Sequence, residues 1–434
     1  MKKSTWQHYA PSLRDYIHDN ALGMSRPAGE GLPYPFLAPG SAQYDDVLWD
    51  WDSWLSNVAL CQVLLEKDDP ALTEELRDAE RGSILNFLHY TGMDGYMPIV
   101  MGRNVSGDKP KDVLASNMHK PVIAQHAALL IRRDGGDAEW LREGFYPMQC
   151  FLNNYRNHRR HQPTGLYFWN DDNAVGVDND PCTFGRPPKS SASIYLNCLM
   201  VREFEAAAYI ADQLDQKAIG DHYRKDRDEL VDALREHCWD EWLGFYYSVD
   251  INLNPGHLEP YPEEWNQHGW GKHFGQPCDW PCLIQRIGVW SGFLSLWAGV
   301  ATKEQAERIV KHYRDDATFH CEAGVRTLSK QEKMFNVRAS GNPSSWLGPV
   351  WIIANYMTWR GLVDYGFTED ARELAERTVC LLGRDLERFG AFHEYYLPDN
   401  GEPVLNRGFM NWNFLVLNML AWLEERPVLR EYGD

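Results

Sequence analysis

The stretch TEDARELAERTVCLLGRDLERFGAFHEYY, from Thr368 to Tyr396, joins a long amphipathic segment to a glycine that is followed by aromatic residues. Acidic residues in the first turn are typical of a helix start, and a glycine just after the last turn is typical of a helix end. The sequence therefore predicts a helix that opens at Thr368 and ends near Gly390, followed by an aromatic loop.

The same combination of helix and glycine loop recurs along the chain. The serines at 190, 191 and 193 can cap the start of a second amphipathic segment, and a third opens with a capping box formed by Thr302 and Gln305. The loop motifs stand at steps of 64 to 80 residues and begin at Gly31 (GLPY), Gly95 (GYMP), Gly165 (GLYFW), Gly244 (GFYY), Gly324 (GVRT, without aromatics) and Gly390 (GAFHEYY). A repeat of this size predicts six helical hairpins. Six hairpins closed in a ring make an all-α (α/α)6 barrel, which places the motif loops around one cavity. We expect a single domain over residues 1–434.

Composition and charge exclude several classes of partner. The 434-residue chain has a formal net charge of −19, which repels phosphate backbones and anionic lipids, so neither nucleic acid nor a membrane is expected. Its first residues lack the apolar core of a secretory signal, and no apolar run is long enough to span a membrane. The nine cysteines, CDWPC (Cys278 to Cys282) included, show no disulfide or redox spacing. This pattern indicates reduced thiols and a cytoplasmic location; the oligomeric state stays open.

Aromatic residues are unusually frequent. The chain has 18 Trp and 21 Tyr, more than packing requires, because a buried indole N–H or phenol O–H needs a partner. Such side chains suit a groove in which sugar rings stack, although a large aromatic core is the alternative for any single Trp.

Two acids stand in loops where a carboxylate can do chemistry. Glu394 lies among aromatic residues, which raise the pKa of a carboxyl group by desolvation, and Asp178 follows Gly176 in GLYFWNDDNAVGVDNDP (residues 165–181). Two opposed carboxylates are what glycoside hydrolysis needs. The alternative for Glu394 is a structural carboxylate. The alternative for the loop at 165–181 is an Asx turn, and we favour this interpretation for Asp180. A calcium loop built from Asp171, Asp172, Asp178 and Asp180 is a minor alternative.

Other chemistries lack their motifs. The sequence has no HExxH, P-loop, dinucleotide-binding glycine motif or nucleophile elbow. The spacing of four histidines does not suit a metal site: His237, His257, His268 and His273. No metal and no cofactor is expected.

Several blocks together resemble glycoside hydrolase family 63, in particular its short members that act on mannosylglycerate and glucosylglycerate, and more distantly the family 37 trehalases. The blocks are YDDVLWDWDSW (44–54), GLYFWNDDNAVGVDNDP (165–181), SSWLGPVWIIANYMTWRGL (344–362), FHEYYLPDNGEP (392–403) and FMNWN (409–413). The chain departs from the family pattern at Asp180, at Lys120-Pro121 and at Leu347.

The resemblance implies an (α/α)6 barrel and an inverting mechanism, with Asp178 as general acid and Glu394 as general base. It also implies that a set of residues binds the sugar: Trp49, Asp52, Gln125, Trp169, Trp346, Trp351, Tyr396 and Trp412.

The expected function is hydrolysis of a small α-glucoside or α-mannoside. The alternatives are a trehalase-like disaccharide hydrolase, a carbohydrate-binding protein without activity, and a sugar isomerase or 2-epimerase, which would need paired cavity histidines such as His393 and His119. Three arginines beside the candidate loops favour an anionic aglycone, because a guanidinium group suits a carboxylate: Arg186, Arg326 and Arg407.

Overall fold

The computed structural model describes residues 5–38, 40, 44–103, 116–253, 280–338 and 343–432. Four residues considered above for metal or redox roles lie outside the described residues: His257, His268, His273 and Cys278.

Helices dominate the described chain, and nearly fully buried helices alternate with amphipathic ones. The buried helices are α2 Asp50–Lys67, α4 Ile123–Arg133, α6 Ile194–Gln213, α8 Leu294–Trp297, α10 Ile352–Asp364 and α12 Val416–Leu423. The amphipathic helices are α1 Trp6–Ala21, α3 Pro70–Tyr90, α5 Phe145–His158, α7 Lys217–His237, α9 Lys303–Arg314 and α11 Thr368–Phe389. Short 3-10 turns, Trp290–Phe293 and Asn411–Leu415, lead into α8 and α12.

The buried helices pack against one another in chain order. Each contacts the next, from α2 through α4, α6, α8 and α10 to α12, and α12 contacts α2 again. Their apolar side chains belong to one hydrophobic core that extends from Tyr9 to Tyr432. A smaller cluster lies apart from it and contains Cys182, Val289, Leu328 and Leu347. The contacts of the buried helices therefore return from the last of them to the first.

Local helix signals predicted three helix ends correctly and one wrongly. Helix α11 begins at Thr368 and is followed by Gly390 with a φ of +69°. Helix α9 carries the predicted capping box, in which Thr302 Oγ1 accepts a hydrogen bond from the backbone N–H of Gln305 at 3.2 Å. The predicted serine cap of α6 is wrong, because the hydroxyl of Ser193 makes no hydrogen bond. The first N–H of α6 donates to Ser248 Oγ instead, at 3.1 Å.

The glycine motifs lie where the repeat predicts them. Each of the six motifs follows one of the amphipathic helices. The glycines of the last five motifs have positive φ, a conformation that glycine adopts without strain: Gly95, Gly165, Gly244, Gly324 and Gly390.

Short antiparallel strands in the connections are a difference from the all-α prediction. They are β1 Ser25–Arg26, β2 Phe36–Leu37, β3 Val47–Trp49, β4 Val100–Gly102, β5 Ser191–Ala192, β6 Trp239–Asp240, β7 Phe245–Tyr246, β8 Val249–Asp250, β9 Leu283–Ile284, β10 His320–Cys321, β11 Gly324–Val325, β12 Tyr395–Tyr396 and β13 Pro403–Val404. Strands of two or three residues are too short to produce a readable alternation of apolar and polar residues.

Within the described ranges, no helix is both long and apolar enough to cross a membrane. The eight cysteines in these ranges are all free thiols.

Candidate active site

A cavity of about 210 Å³ brings together acids and aromatic rings from distant parts of the sequence. Its carboxylates are Asp52, Asp178 and Glu394, and Lys120 supplies a cation. Aromatic side chains form much of the remaining wall: Tyr44, Trp49, Trp51, Trp351, Phe409 and Trp412.

The loop that carries Asp178 turns sharply at Gly176. This glycine has a φ of +89°, and a Cβ atom added there would lie 2.6 Å from Cε of Lys120 and 2.8 Å from the Trp51 ring. No larger residue fits without displacing one of these two side chains. The turn predicted at Gly176 therefore exists, and it packs the loop onto the cavity wall directly before Asp178.

The residues that follow Asp178 fix the rest of the loop. Asn179 has a φ of +54°, and its Oδ1 accepts a hydrogen bond from the backbone N–H of Trp346 at 3.0 Å. Asp180 Oδ1 accepts from the backbone N–H of Cys182 at 2.9 Å, which confirms the predicted Asx turn. Asp171, in the first half of the loop, accepts from Ser116 Oγ at 2.9 Å. These acids hold the loop in shape.

Glu394 lies directly before β12 and is held on both sides. Its backbone N–H donates to the carbonyl oxygen of Leu405 at 3.2 Å, and its Oε2 accepts a hydrogen bond from the side-chain amide of Asn406. On the other side, Asp385 of α11 accepts from Tyr396 Oη at 2.7 Å and from the backbone N–H of His393 at 3.0 Å.

The third carboxylate, Asp52, lies in the first turn of α2. Its Oδ1 accepts a hydrogen bond from the side-chain amide of Asn411 at 2.5 Å. Asp50, one residue before Trp51, is fully buried and forms an ion pair with Lys120, with 2.9 Å between Nζ and Oδ1. The start of α2 thus carries a hydrogen-bonded acid that lines the cavity, Asp52, and an ion-paired acid that does not, Asp50.

Burial raises the pKa of two cavity acids. The pKa of Glu394 is raised to about 7, first by desolvation and then by the charges of Asp52 and Asp178, while the hydrogen bond from Asn406 lowers it. The pKa of Asp52 is also raised to about 7, by desolvation and by Asp50, with Lys120 acting in the opposite direction. Carboxyl groups with a pKa near neutrality are suited to proton transfer.

Comparison with known protein families identifies the chain. The model of the mannosylglycerate hydrolase MGH1-like glycoside hydrolase domain matches residues 47–412, a range that includes Asp52, Asp178 and Glu394. The chain belongs to this family. The matched range of this MGH1-like domain begins at β3 and extends into the 3-10 turn before α12.

Individual relatives of the MGH1-like domain are distant. Mannosylglycerate hydrolase MGH1 of Selaginella moellendorffii is 30% identical over 136 residues, which cover 31% of this chain and 24% of the relative, so the match spans about a quarter of that protein. Glucosylglycerate hydrolase of Mycolicibacterium hassiacum is 22% identical over 436 residues, which cover 87% of this chain and 91% of the relative.

Solved structures share the fold of the MGH1-like domain. The GH63 mannosylglycerate hydrolase of Thermus thermophilus in complex with glucose superposes with a TM-score of 0.66 at 20% identity, over 92% of this chain and 99% of that one. Neutral trehalase of Saccharomyces cerevisiae superposes with a TM-score of 0.63 at 15% identity, over 90% and 74% of the two chains.

Six of the ten predicted site residues line the cavity, and four do not. The six that line it are Trp49, Asp52, Asp178, Trp351, Glu394 and Trp412. The four that lie outside its lining are Gln125, Trp169, Trp346 and Tyr396.

Contacts with neighbouring residues explain the four positions outside the lining. Gln125 donates from Nε2 to the carbonyl oxygens of Pro121 at 2.8 Å and Leu199 at 3.1 Å, and the Tyr396 hydroxyl is bound to Asp385. Trp346 stacks behind Trp351, with ring centroids 4.2 Å apart and planes 10° apart. Trp169 is buried beside Tyr195. These four side chains therefore lie outside the described lining, and their contact with a sugar stays a prediction.

The three arginines proposed for an anionic aglycone brace loops instead. Arg186 pairs with Asp250, Arg407 donates to the carbonyl oxygen of Phe389, and buried Arg326 bonds backbone carbonyls and Asp399. None of them belongs to the described lining of the cavity. Their positions give no support to the anionic-aglycone prediction.

The histidines of the epimerase alternative also lie away from the cavity lining. His393 binds Asp385 through Nδ1 at 3.0 Å. His119 binds the carbonyl oxygen of Lys120, and its ring contacts the rings of Phe87 and Phe151. Burial lowers the pKa of His119 to about 4. Neither histidine is placed to abstract a proton from a ligand in the cavity. Over the described residues, no group of three or more His, Cys, Asp and Glu side chains is arranged to hold a metal ion, so the calcium alternative gains no support.

Sequence reasoning missed several residues of the site. Tyr44 and Trp51 belong to the block YDDVLWDWDSW and could have been selected from it. Lys120 was visible as a departure from the family pattern. Asp385 and Asn406 had no signal, because an acid on an amphipathic helix and an asparagine in a loop are common surface residues.

Proposed function

We propose that this chain is an inverting α-glycosidase that hydrolyses a small α-glucoside or α-mannoside. The family to which it belongs supports glycoside hydrolysis. Glucosylglycerate and mannosylglycerate are the first substrates to test, because relatives and a fold neighbour carry the names of hydrolases for these compounds. The cavity of about 210 Å³ supports a small substrate, since it is below the range of about 300–1,000 Å³ typical of sites for drug-sized ligands.

The fold belongs to the same proposal. We infer a single (α/α)6 barrel over residues 1–434, supported by the alternation of buried and amphipathic helices and by the contacts that return from α12 to α2. The motif loops would then meet at one rim of the ring. The three cavity acids come from separate elements: Asp52 from the start of α2, and Asp178 and Glu394 from two loops.

The proposed chemistry uses two carboxyl groups. Asp178 donates a proton to the glycosidic oxygen as the bond to the anomeric carbon breaks, and Glu394 removes a proton from the water that attacks the opposite face of that carbon. An inverting pair needs room for this water, so we expect the two carboxyl groups to lie roughly 6.5–9.5 Å apart. The observation that carries this proposal is that both acids line one cavity, where the charge of Asp178 contributes to the raised pKa of Glu394.

The aromatic wall and Asp52 would bind the sugar. The indole N–H groups of Trp49 and Trp412 are buried and have no hydrogen-bond partner among the described residues. A buried donor without a partner is unfavourable, so these groups are suited to sugar hydroxyl oxygens. Trp351 is buried and stacks with both Trp346 and Tyr395, so it gives this part of the wall a fixed shape. No cofactor takes part in the proposed reaction, which we place in the cytoplasm.

The experiment is an assay of the purified protein with glucosylglycerate, mannosylglycerate and trehalose, repeated with Glu394→Gln. We expect turnover of a glycerate glycoside and its loss in Glu394→Gln by at least about 10³-fold, with fold and sugar binding retained, because the amide keeps the shape but cannot accept the proton. The matched control is Glu402→Gln, the same change on the same hairpin, where Glu402 pairs with Arg388 at the surface. Full activity of Glu394→Gln would reject the assignment of the base, and turnover of trehalose alone would favour the trehalase-like alternative.

A further inference from the structure

Two successive residues after β13 adopt a backbone conformation that side chains disfavour. Leu405 has a φ of +60° and Asn406 a φ of +35°. Asparagine tolerates this left-handed region, but leucine seldom occupies it. Strained turns of this kind persist where surrounding contacts impose them, and they are concentrated at functional sites.

This turn is attached to Glu394 at two points. The carbonyl oxygen of Leu405 accepts a hydrogen bond from the backbone N–H of Glu394 at 3.2 Å, and the side-chain amide of Asn406 donates to Oε2 of the same residue. The strained conformation therefore directs one residue to the backbone and the next to the carboxylate of a single acid.

The backbone on either side of Glu394 has a separate support. Asp385 accepts hydrogen bonds from the backbone N–H of His393 at 3.0 Å and from Tyr396 Oη at 2.7 Å. Asn406, in contrast, contacts the carboxylate itself. Loss of the Asn406 amide should consequently leave the β12 backbone in place and alter the orientation and protonation of the Glu394 side chain.

We propose that Asn406 is a positioning residue for the base, and that its amide fixes Oε2 of Glu394 so that Oε1 faces the attacking water. This inference rests on the proposed function, because it assigns a partner to the proposed base. The strained Leu405–Asn406 turn is the device that brings the amide to the carboxylate.

The charges around Glu394 show why a donor matters at this position. Asp52 approaches from the start of α2 and Asp178 from the loop after Gly176, and both carboxylates favour the protonated form of Glu394. Tyr44 also faces this group of acids. Lys120 acts on Asp52, and Asn406 acts in the opposite sense to the carboxylates by donating a hydrogen bond to the charged form of Glu394.

Two substitutions separate the amide from the backbone turn. Asn406→Gly removes the side chain but keeps a residue that accepts positive φ without strain. Asn406→Asp keeps the shape and replaces the donor with an acceptor that repels the Glu394 carboxylate. The matched control is Asn400→Asp, because Asn400 lies exposed in the turn of the same hairpin, and an aspartate there still accepts from the backbone N–H of Glu402.

The readout is the pH dependence of kcat/KM, together with KM and the melting temperature of each variant. A base works in its ionised form, so loss of the donor should move the acidic limb of the profile to higher pH. We expect a shift of about half a unit to one unit in Asn406→Gly and a larger one in Asn406→Asp, with KM changed less than about threefold. Asn400→Asp should retain the native profile.

Unshifted acidic limbs in both folded Asn406 variants would overturn the proposal. A variant that fails to melt cooperatively is set aside and the other one decides, because glycine and aspartate perturb the turn in different ways. The proposed function fails separately, if Glu394→Gln keeps full activity. If Glu394→Gln is inactive but both Asn406 variants retain the native profile, only the role of Asn406 is rejected.

Discussion

Lys120, which lines the cavity, forms an ion pair with the buried Asp50, with Nζ 2.9 Å from Oδ1 and both side chains withdrawn from solvent. The same ammonium group lies 5.2 Å from the centroid of the Trp51 ring, and its stem packs under Gly176. The pair therefore joins the start of α2 to the loop that carries Asp178.

Lys120→Gln should destabilise the protein. Removal of one partner leaves the buried charge of Asp50 without compensation, which typically lowers the free energy of unfolding by about 3–5 kcal/mol. Urea denaturation at pH 7 measures the effect. The double variant Lys120→Gln/Asp50→Asn should recover part of the loss, because it removes the unpaired charge as well. A loss below about 1 kcal/mol in the single variant would show that the pair is not buried in solution.

Gly176→Ala should reduce activity through the position of Asp178. Alanine is strained at a φ of +89°, and its Cβ collides with Lys120 and Trp51. We expect kcat to fall by about 10²-fold, since displacement of a catalytic group by about 1 Å has effects of this size. Gly185→Ala is the control, because Gly185 also has positive φ but has open space around it. Equal kinetic effects of the two substitutions would contradict a specific role of the Gly176 turn.

Asp178→Asn should distinguish leaving groups. Proton donation matters most when the departing oxygen is a poor leaving group, so hydrolysis of a glycerate glycoside should slow by about 10²–10⁴-fold and that of an activated aryl α-glycoside much less. Steady-state kinetics with both substrates provide the test. An equal loss with both would make Asp178 a structural residue and direct attention to Asp52.

Glu394 should make stability depend on pH. Its pKa is about 7 in the folded protein against an ordinary value of 4.5. The folded state therefore holds the proton more tightly than the unfolded state, and Glu394 destabilises the fold progressively as pH rises from about 4.5 through 7. Glu394→Gln removes this effect. The variant should equal the native protein in stability near pH 4 and exceed it by up to about 3 kcal/mol at pH 8.

Chemical denaturation at a series of pH values measures this difference. The control Glu402→Gln carries the same change of charge on the same hairpin, where the acid is half exposed. A stability difference between Glu394→Gln and the native protein that stays constant from pH 4 to pH 8 would show that the pKa of Glu394 is not raised.

The helical repeat was predictable because its signal is local. Gly390 directly follows a helix, and Gly95, Gly165 and Gly244 lie in the loops after helices. All four have positive φ, a conformation that the residue type glycine indicates in the sequence. The short strands were not predictable, because two residues carry no periodicity. The missing cap at Ser193 reflects a tertiary contact, the hydrogen bond to Ser248, that local sequence cannot reveal.

The candidate site was predictable to the level of its motifs. Asp178 and Glu394 could be selected because each stands in a loop with an unusual environment. A motif places a residue near the cavity but does not define the direction of its side chain, and the side chains of Gln125 and Tyr396 hydrogen-bond to protein groups outside the described cavity lining. The support of Glu394 by Asp385 depends on packing between α11 and β12, which only the structure shows.

The stereochemistry of the first product tests the proposed mechanism most directly. Proton NMR during hydrolysis of glucosylglycerate or mannosylglycerate records which anomer of the free sugar appears before mutarotation. Direct attack by water activated at Glu394, with Asp178 on the leaving oxygen, predicts that the β-anomer forms first from an α-glycoside. Initial release of the α-anomer would contradict the inverting mechanism and the roles assigned to Asp178 and Glu394.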